Sequence, residues 1–161
     1  MSELAHSAAP GIAIEGLCFR QASVCVPILR SLPAWFGIKA AILHYSAEID
    51  HLPTWLACAA GRAVGFVSVK QHTSFSAEIY VMGILPEMHR QGIGRALIDH
   101  AQEWLTNQGI EYLQVKTLGP SQPDVNYART RSFYEAMGFR PLEEIKQVWD
   151  DQNPCLITDH R

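Results

Sequence analysis

The chain has 161 residues, 48% of them hydrophobic and 18% charged, and a net charge of −3 at pH 7. That length suits a single domain, residues 1–161, with a core that needs no disulfide or metal to hold it. No stretch approaches the roughly 20 apolar residues of a membrane span, and without a Lys/Arg run the acidic balance leaves no footprint for nucleic acid or anionic lipid.

In chain order, Met1 to Pro10 lacks the basic start and apolar run of a signal peptide and reads as a frayed end, with a cytoplasmic location expected. Alternating and β-branched runs predict strands at about 12–19, 54–60, 63–71, 77–85, 112–118, 139–148 and 155–158. Turns at Ala60-Gly61-Arg62 and Thr73-Ser74-Phe75-Ser76 predict an antiparallel meander of the second to fourth strands. Helices are expected over 27–34 and 38–49, with Pro27 suited to a first turn. Leu97, Ile98, Ala101, Trp104 and Leu105 repeat at helical spacing within 92–108, and Gly109 stops that helix. A last helix runs over 125–137, with Asp124 as N-cap and Gly138 as its stop. A helix between the fourth and fifth strands implies a parallel crossover, and a loop at 149–154 joins the last two strands. The expected fold is α/β, a mixed central sheet of about seven strands with helices on both faces. Cys18, Cys25, Cys58 and Cys155 form no CxxC pair and read as buried free thiols.

The run from Ile84 to Leu97 passes from a strand through a turn into an amphipathic helix. The first amides of a helix have no intrahelical acceptor, and Gly92 and Gly94 let the backbone come close to a phosphate. A dinucleotide fingerprint would need glycine at Leu97, and a P-loop would need Gly-Lys-Ser/Thr where Gly94-Arg95-Ala96 stands. A glycine-rich helix start with no ligand is the remaining alternative.

The segment His89-Arg90-Gln91-Gly92-Ile93-Gly94 and the segment Phe133-Tyr134-Glu135-Ala136-Met137-Gly138-Phe139 together resemble the GCN5-related N-acetyltransferase (GNAT) family over nearly the whole chain. The first is similar to that family's acyl-CoA motif, Arg/Gln-x-x-Gly-x-Gly/Ala, with His89 in the first position. The resemblance implies acetyl-CoA as cosubstrate. It also implies a splay between strands four and five, and cofactor contacts at Met82, Gly83 and Ile84, at His89, Arg90 and Gln91, along Gly92, Ile93, Gly94, Arg95 and Ala96, and at Asn126 and Phe133. Asn126 has an N-cap role as its alternative.

Acyl transfer to an amine needs a base, an oxyanion donor and a proton for the departing thiolate. Glu78 stands fourteen positions before Gly92 in Ala77-Glu78-Ile79, a context similar to that of the family's histone-acetylating branch, which implies a base. Its alternatives are solvent exposure and a structural ion pair. Tyr134 matches the family's general acid, with core packing as the alternative, since Tyr127, Thr130, Tyr134 and Met137 share a helical face. A backbone amide near Ile84 would hold the oxyanion. Arg129 and Arg131 are candidates for coenzyme A phosphates, or simply solvated surface. The seven histidines show no HExxH and no metal spacing, so no metal is expected.

By the same resemblance, Trp35, Phe36, Tyr45 and Trp149-Asp150-Asp151 would wall the acceptor pocket, with the loop 117–127 beside the cleft. Three functions follow: a small-molecule amine N-acetyltransferase acting in a ternary complex, a protein or peptide acetyltransferase, or a noncatalytic acyl-CoA sensor. The family commonly forms a homodimer through its last strands.

Overall fold

A computed structural model describes residues 11–36, 39–150 and 153–160. The expectation for Met1 to Pro10 lies outside them. The elements are β1 (Ile12–Cys18), α1 (Ala22–Arg30), α2 (Pro33–Phe36), α3 (Lys39–Ile49), β2 (Thr54–Ala59), β3 (Arg62–Gln71), β4 (Ser76–Ile84), a 3-10 turn (Pro86–Met88), α4 (Ile93–Asn107), β5 (Tyr112–Leu118), α5 (Val125–Ala136), β6 (Arg140–Asp150) and β7 (Asn153–His160). The sheet has seven strands in the order β1-β2-β3-β4-β5-β7-β6, with β4 and β5 parallel. The chain divides into two compact units, residues 1–70 with 80–108 and residues 71–79 with 109–161, so the division falls inside β4.

In the first unit β2 pairs antiparallel with β1 and β3. Ala60 and Gly61, both at positive φ, make the two-residue turn between β2 and β3, a conformation that matches strand twist. Successive β2 residues face opposite ways. Trp55 meets Trp104 of α4 with ring centroids 5.7 Å apart, while Leu56 joins a core of Cys25, Ile28, Leu29 and Phe66. Helices therefore cover both faces here.

The first helix begins five residues earlier than its sequence suggests and carries Pro27 inside it. An interior proline costs about 3 kcal/mol. Cys25, Ile28 and Leu29 are at most 2% exposed on this helix, and burying each such side chain contributes about 1.5–3 kcal/mol, so packing overrides the proline.

In the second unit the β4–β5 ladder runs from Ser76↔Tyr112 to Ile79↔Val115. β7 pairs antiparallel with both β5 and β6, and its ladder with β6 reaches Asp150↔Asn153. That pairing takes up most of the loop expected at 149–154. Cys25 and Cys155 are buried, and Cys18 and Cys58 are half-buried.

Candidate functional site

After β4 the chain turns through Pro86–Met88, and Arg90 (φ 64°) and Gly92 (φ 76°) then aim it into α4. Nothing lies within 4 Å of where a Gly92 side chain would begin. No side chain caps this helix. His89, Arg90, Gln91, Gly92 and Arg95 are exposed, whereas Ile93, Gly94 and Ala96 are buried on the helix's core side. The Ala96 N–H donates to the Gly92 carbonyl at 3.1 Å. The amides before it have no side-chain cap.

His89 turns back on its own strand, where its Nε2 donates to the Ile84 carbonyl at 2.7 Å. The imidazole therefore braces the loop against the end of β4, beside Met82 and Ile84, which are half-buried. Gly83 is closely packed. A β-carbon there would lie 3.3 Å from Ile28 of α1, Leu32 just beyond that helix and Phe66 of β3, so glycine makes room for all three.

Glu78 is buried, which rules out the solvent-facing alternative. Its Oε1 accepts from His72 Nε2 at 2.7 Å and from Lys116 Nζ at 3.2 Å. The hairpin before β4 sets this geometry: Thr73 Oγ1 accepts from the amides of Phe75 and Ser76, and the His72 amide donates to the Ser76 carbonyl. Glu78 sits opposite Gln114 on β5, so Lys116, two residues on, shares its face. His72 and Lys116 were not singled out from sequence. A histidine six residues before a strand carboxylate, across a four-residue turn, was the signal for the first.

Tyr134 packs edge-on against Phe133 and Phe139, with centroids 5.2 and 5.4 Å away. Burial raises its pKa, so the phenol stays protonated near neutrality. The Tyr-x-x-x-Gly-Phe signature closes a Schellman motif: the Phe139 amide donates to the Tyr134 carbonyl and the Gly138 amide to that of Glu135, each at 3.0 Å. Tyr134 and Phe139 make the apolar contact of that motif.

The cap of α5 is Asp124, whose carboxylate accepts from the amides of Asn126 and Tyr127. Asn126 is thus not the N-cap, and its half-buried side chain stands at the second position of the first turn. Arg131 donates to the Leu118 carbonyl at 2.6 Å and so ties α5 to the end of β5, while Arg129 is exposed. The loop after β5 is also tied down, since Glu144 accepts from the amide and hydroxyl of Ser121. Those bonds hold the Glu144 carboxyl below its ordinary range. Thr117 Oγ1 is buried with no hydrogen-bond partner among the described residues.

Some of the residues expected to wall an acceptor pocket make aromatic contacts. Phe36 meets Tyr45 at 5.7 Å, Tyr45 meets Tyr80 of β4 at 5.6 Å, and Trp35 meets His89 at 6.4 Å. Lys70, paired with Glu48 at 3.0 Å, lies over the Tyr80 ring at 5.4 Å. Trp149 is exposed, while the Asp150 side chain and Asp151 lie outside the described residues. Among the described residues no group of His, Cys, Asp or Glu is placed to hold a metal, and no helix is long and apolar enough to cross a membrane.

A family model described as an acetyltransferase (GNAT) domain matches residues 50–141. The chain is 26% identical to an aminoglycoside N(6')-acetyltransferase type 1 of Salmonella typhimurium over 61% of its own length and 69% of that protein's. It is 25% identical to the peptidyl-lysine N-acetyltransferase YiaC of Escherichia coli, covering 80% of this chain and 65% of the relative. The chain spans 56% of the length of one further curated N-acetyltransferase and 26% of another. In fold it resembles the PaiA N-acetyltransferase of Thermoplasma acidophilum, solved with coenzyme A, with a TM-score of 0.71 at 17% identity over 93% of this chain and 98% of that one.

Proposed function

The chain belongs to the GNAT acetyltransferase family, and from that premise we propose that it transfers an acetyl group from acetyl-CoA to the primary amine of a small molecule by direct attack. The observation that carries the donor half is the start of α4, where two left-handed residues, Arg90 and Gly92, precede helix amides that no side chain caps. α5 makes the contrast, because Asp124 already takes its first amides. An uncapped N-terminus beside exposed Arg90 and Arg95 fits a pyrophosphate. The residues present therefore fit coenzyme A.

Acetyl-CoA supplies the activated acyl group as a thioester. The protein's task is to hold it, to take a proton from the amine and to give one to the sulfur. Tyr134, kept protonated by burial, is the proton donor for the departing thiolate. The Glu78 cluster serves the amine side. Half-buried Trp35, Phe36, Tyr45 and Tyr80 would pack the apolar body of the acceptor.

The aminoglycoside-acetylating relative supports a small acceptor. A second reading, a lysine or N-terminal amine of a protein, is favoured by the Ala77-Glu78-Ile79 context and by the peptidyl-lysine relative. Coenzyme A release measured with a panel of polyamines, aminoglycosides and lysine peptides separates them. Release with small amines supports the proposal, release with peptides alone replaces it with the second reading, and binding without turnover makes the protein a sensor.

A further inference from the structure

We infer that His72, not Glu78, accepts the proton of the acceptor amine, and that Glu78 and Lys116 are positioning residues that fix the tautomer of its ring. The inference deepens the acetyl transfer proposed above and rests on it for substrate.

Glu78 offers little surface to a substrate. Its side chain is 7% exposed, and one oxygen already accepts from two donors. The His72 side chain is 32% exposed. A carboxylate oxygen only accepts, so the 2.7 Å contact places the ring proton of neutral His72 on Nε2. The lone pair of Nδ1 is then left, and Nδ1 has no hydrogen bond among the described residues. The hairpin bonds at Thr73 and Ser76 hold this ring on short, tied backbone. Lys116 Nζ, 3.2 Å from the same Glu78 oxygen, holds the carboxylate from the β5 side.

The titratable groups on the face of Glu78 come from three strands. Glu78 lies on β4 and Lys116 on β5, and Cys155 and Asp159 of β7 pair with Leu118 and Gln114 on that face. Burial holds the Cys155 thiol protonated. Lys70, two residues before His72, is committed to Glu48. Among these groups imidazole is the one that ordinarily exchanges protons near neutrality.

In the step itself, the amine nitrogen forms its bond to the thioester carbon as the carbon–sulfur bond breaks. The proton shed by nitrogen goes to His72 Nδ1, directly or through one water, and the sulfur takes the Tyr134 hydroxyl proton. His72 then returns a proton to solvent and Tyr134 takes one back, so the balance closes.

The test uses the full chain. With an amine that the wild type acetylates, His72→Ala is expected to lower kcat about 100-fold at unchanged acetyl-CoA Kd. Added imidazole is expected to restore part of the rate, and the acidic limb of the kcat/KM pH profile to disappear. Glu78→Gln is expected to keep a shifted acidic limb. A rate within twofold of wild type, or a loss that imidazole does not rescue while the limb persists, overturns the inference. Long-range proton–nitrogen NMR of His72 reads the ring without turnover. A neutral ring protonated on Nε2 supports the assignment and one protonated on Nδ1 overturns it, even if no amine in the panel is a substrate.

Discussion

At Gly83 an added methyl would sit 3.3 Å from three core side chains, closer than ordinary contact. Gly83→Ala is therefore expected to cost about 1–3 kcal/mol through overpacking, seen as a lower urea midpoint at unchanged slope. A strand glycine in a sequence signals close approach but not by what, and here the neighbours are Ile28, Leu32 and Phe66. Tyr134 raises the converse question, since its ring helps to fill the core while its hydroxyl is assigned to the sulfur. Tyr134→Phe keeps the ring contacts with Phe133 and Phe139. It is expected to leave the melting temperature within a few degrees while slowing acetyl transfer about 100-fold. Stopped-flow or coupled thiol assays decide, and a wild-type rate would return Tyr134 to packing alone. Side-chain identity was legible for both residues, but the partners that give them meaning come from distant segments.

Among the elements, α5 owes its limits to local chemistry that the sequence displays. Asp124 caps one end and Gly138 closes the other, and both were expected from residue type. Asp124→Ala is expected to lose about 1 kcal/mol by thermal melting. Gly138→Ala should lose more, because φ there is 100° and a β-carbon would stand 2.9 Å from the His160 ring. Where burial decides, local chemistry misleads. The first helix contains Pro27 because its apolar face is needed, and β6 and β7 extend because their ladder continues past the expected turn. The strand–turn–helix that carries the proposed donor site was readable since it is one continuous segment from β4 to α4. The Glu78 cluster was only half readable, because Lys116 reaches Glu78 through parallel pairing of strands 38 residues apart.

For the molecule as a whole, the titrating groups favour the folded state below pH 9. Burial raises the Cys25 thiol from 9.0 to about 12, and burial followed by a hydrogen bond to Glu15 raises Cys58 to about 11. Tyr134 also moves upward from 10.0. A group whose folded pKa is raised adds stability while it stays protonated, and that contribution falls once the unfolded chain can ionise and the folded chain cannot. Urea unfolding is therefore expected to show a flat contribution from these groups up to about pH 9 and a decline from there toward 12. A stability that rose across that interval would contradict these assignments. The buried thiols matter in another way for a protein that, on the reading proposed above, releases a thiol as product. Disulfide exchange begins with a thiolate that can reach its target. Cys25 and Cys155 are 0% exposed and held protonated. Oxidised coenzyme A should therefore leave both untouched, and the enzyme's interior cannot be locked by the spent form of its own donor.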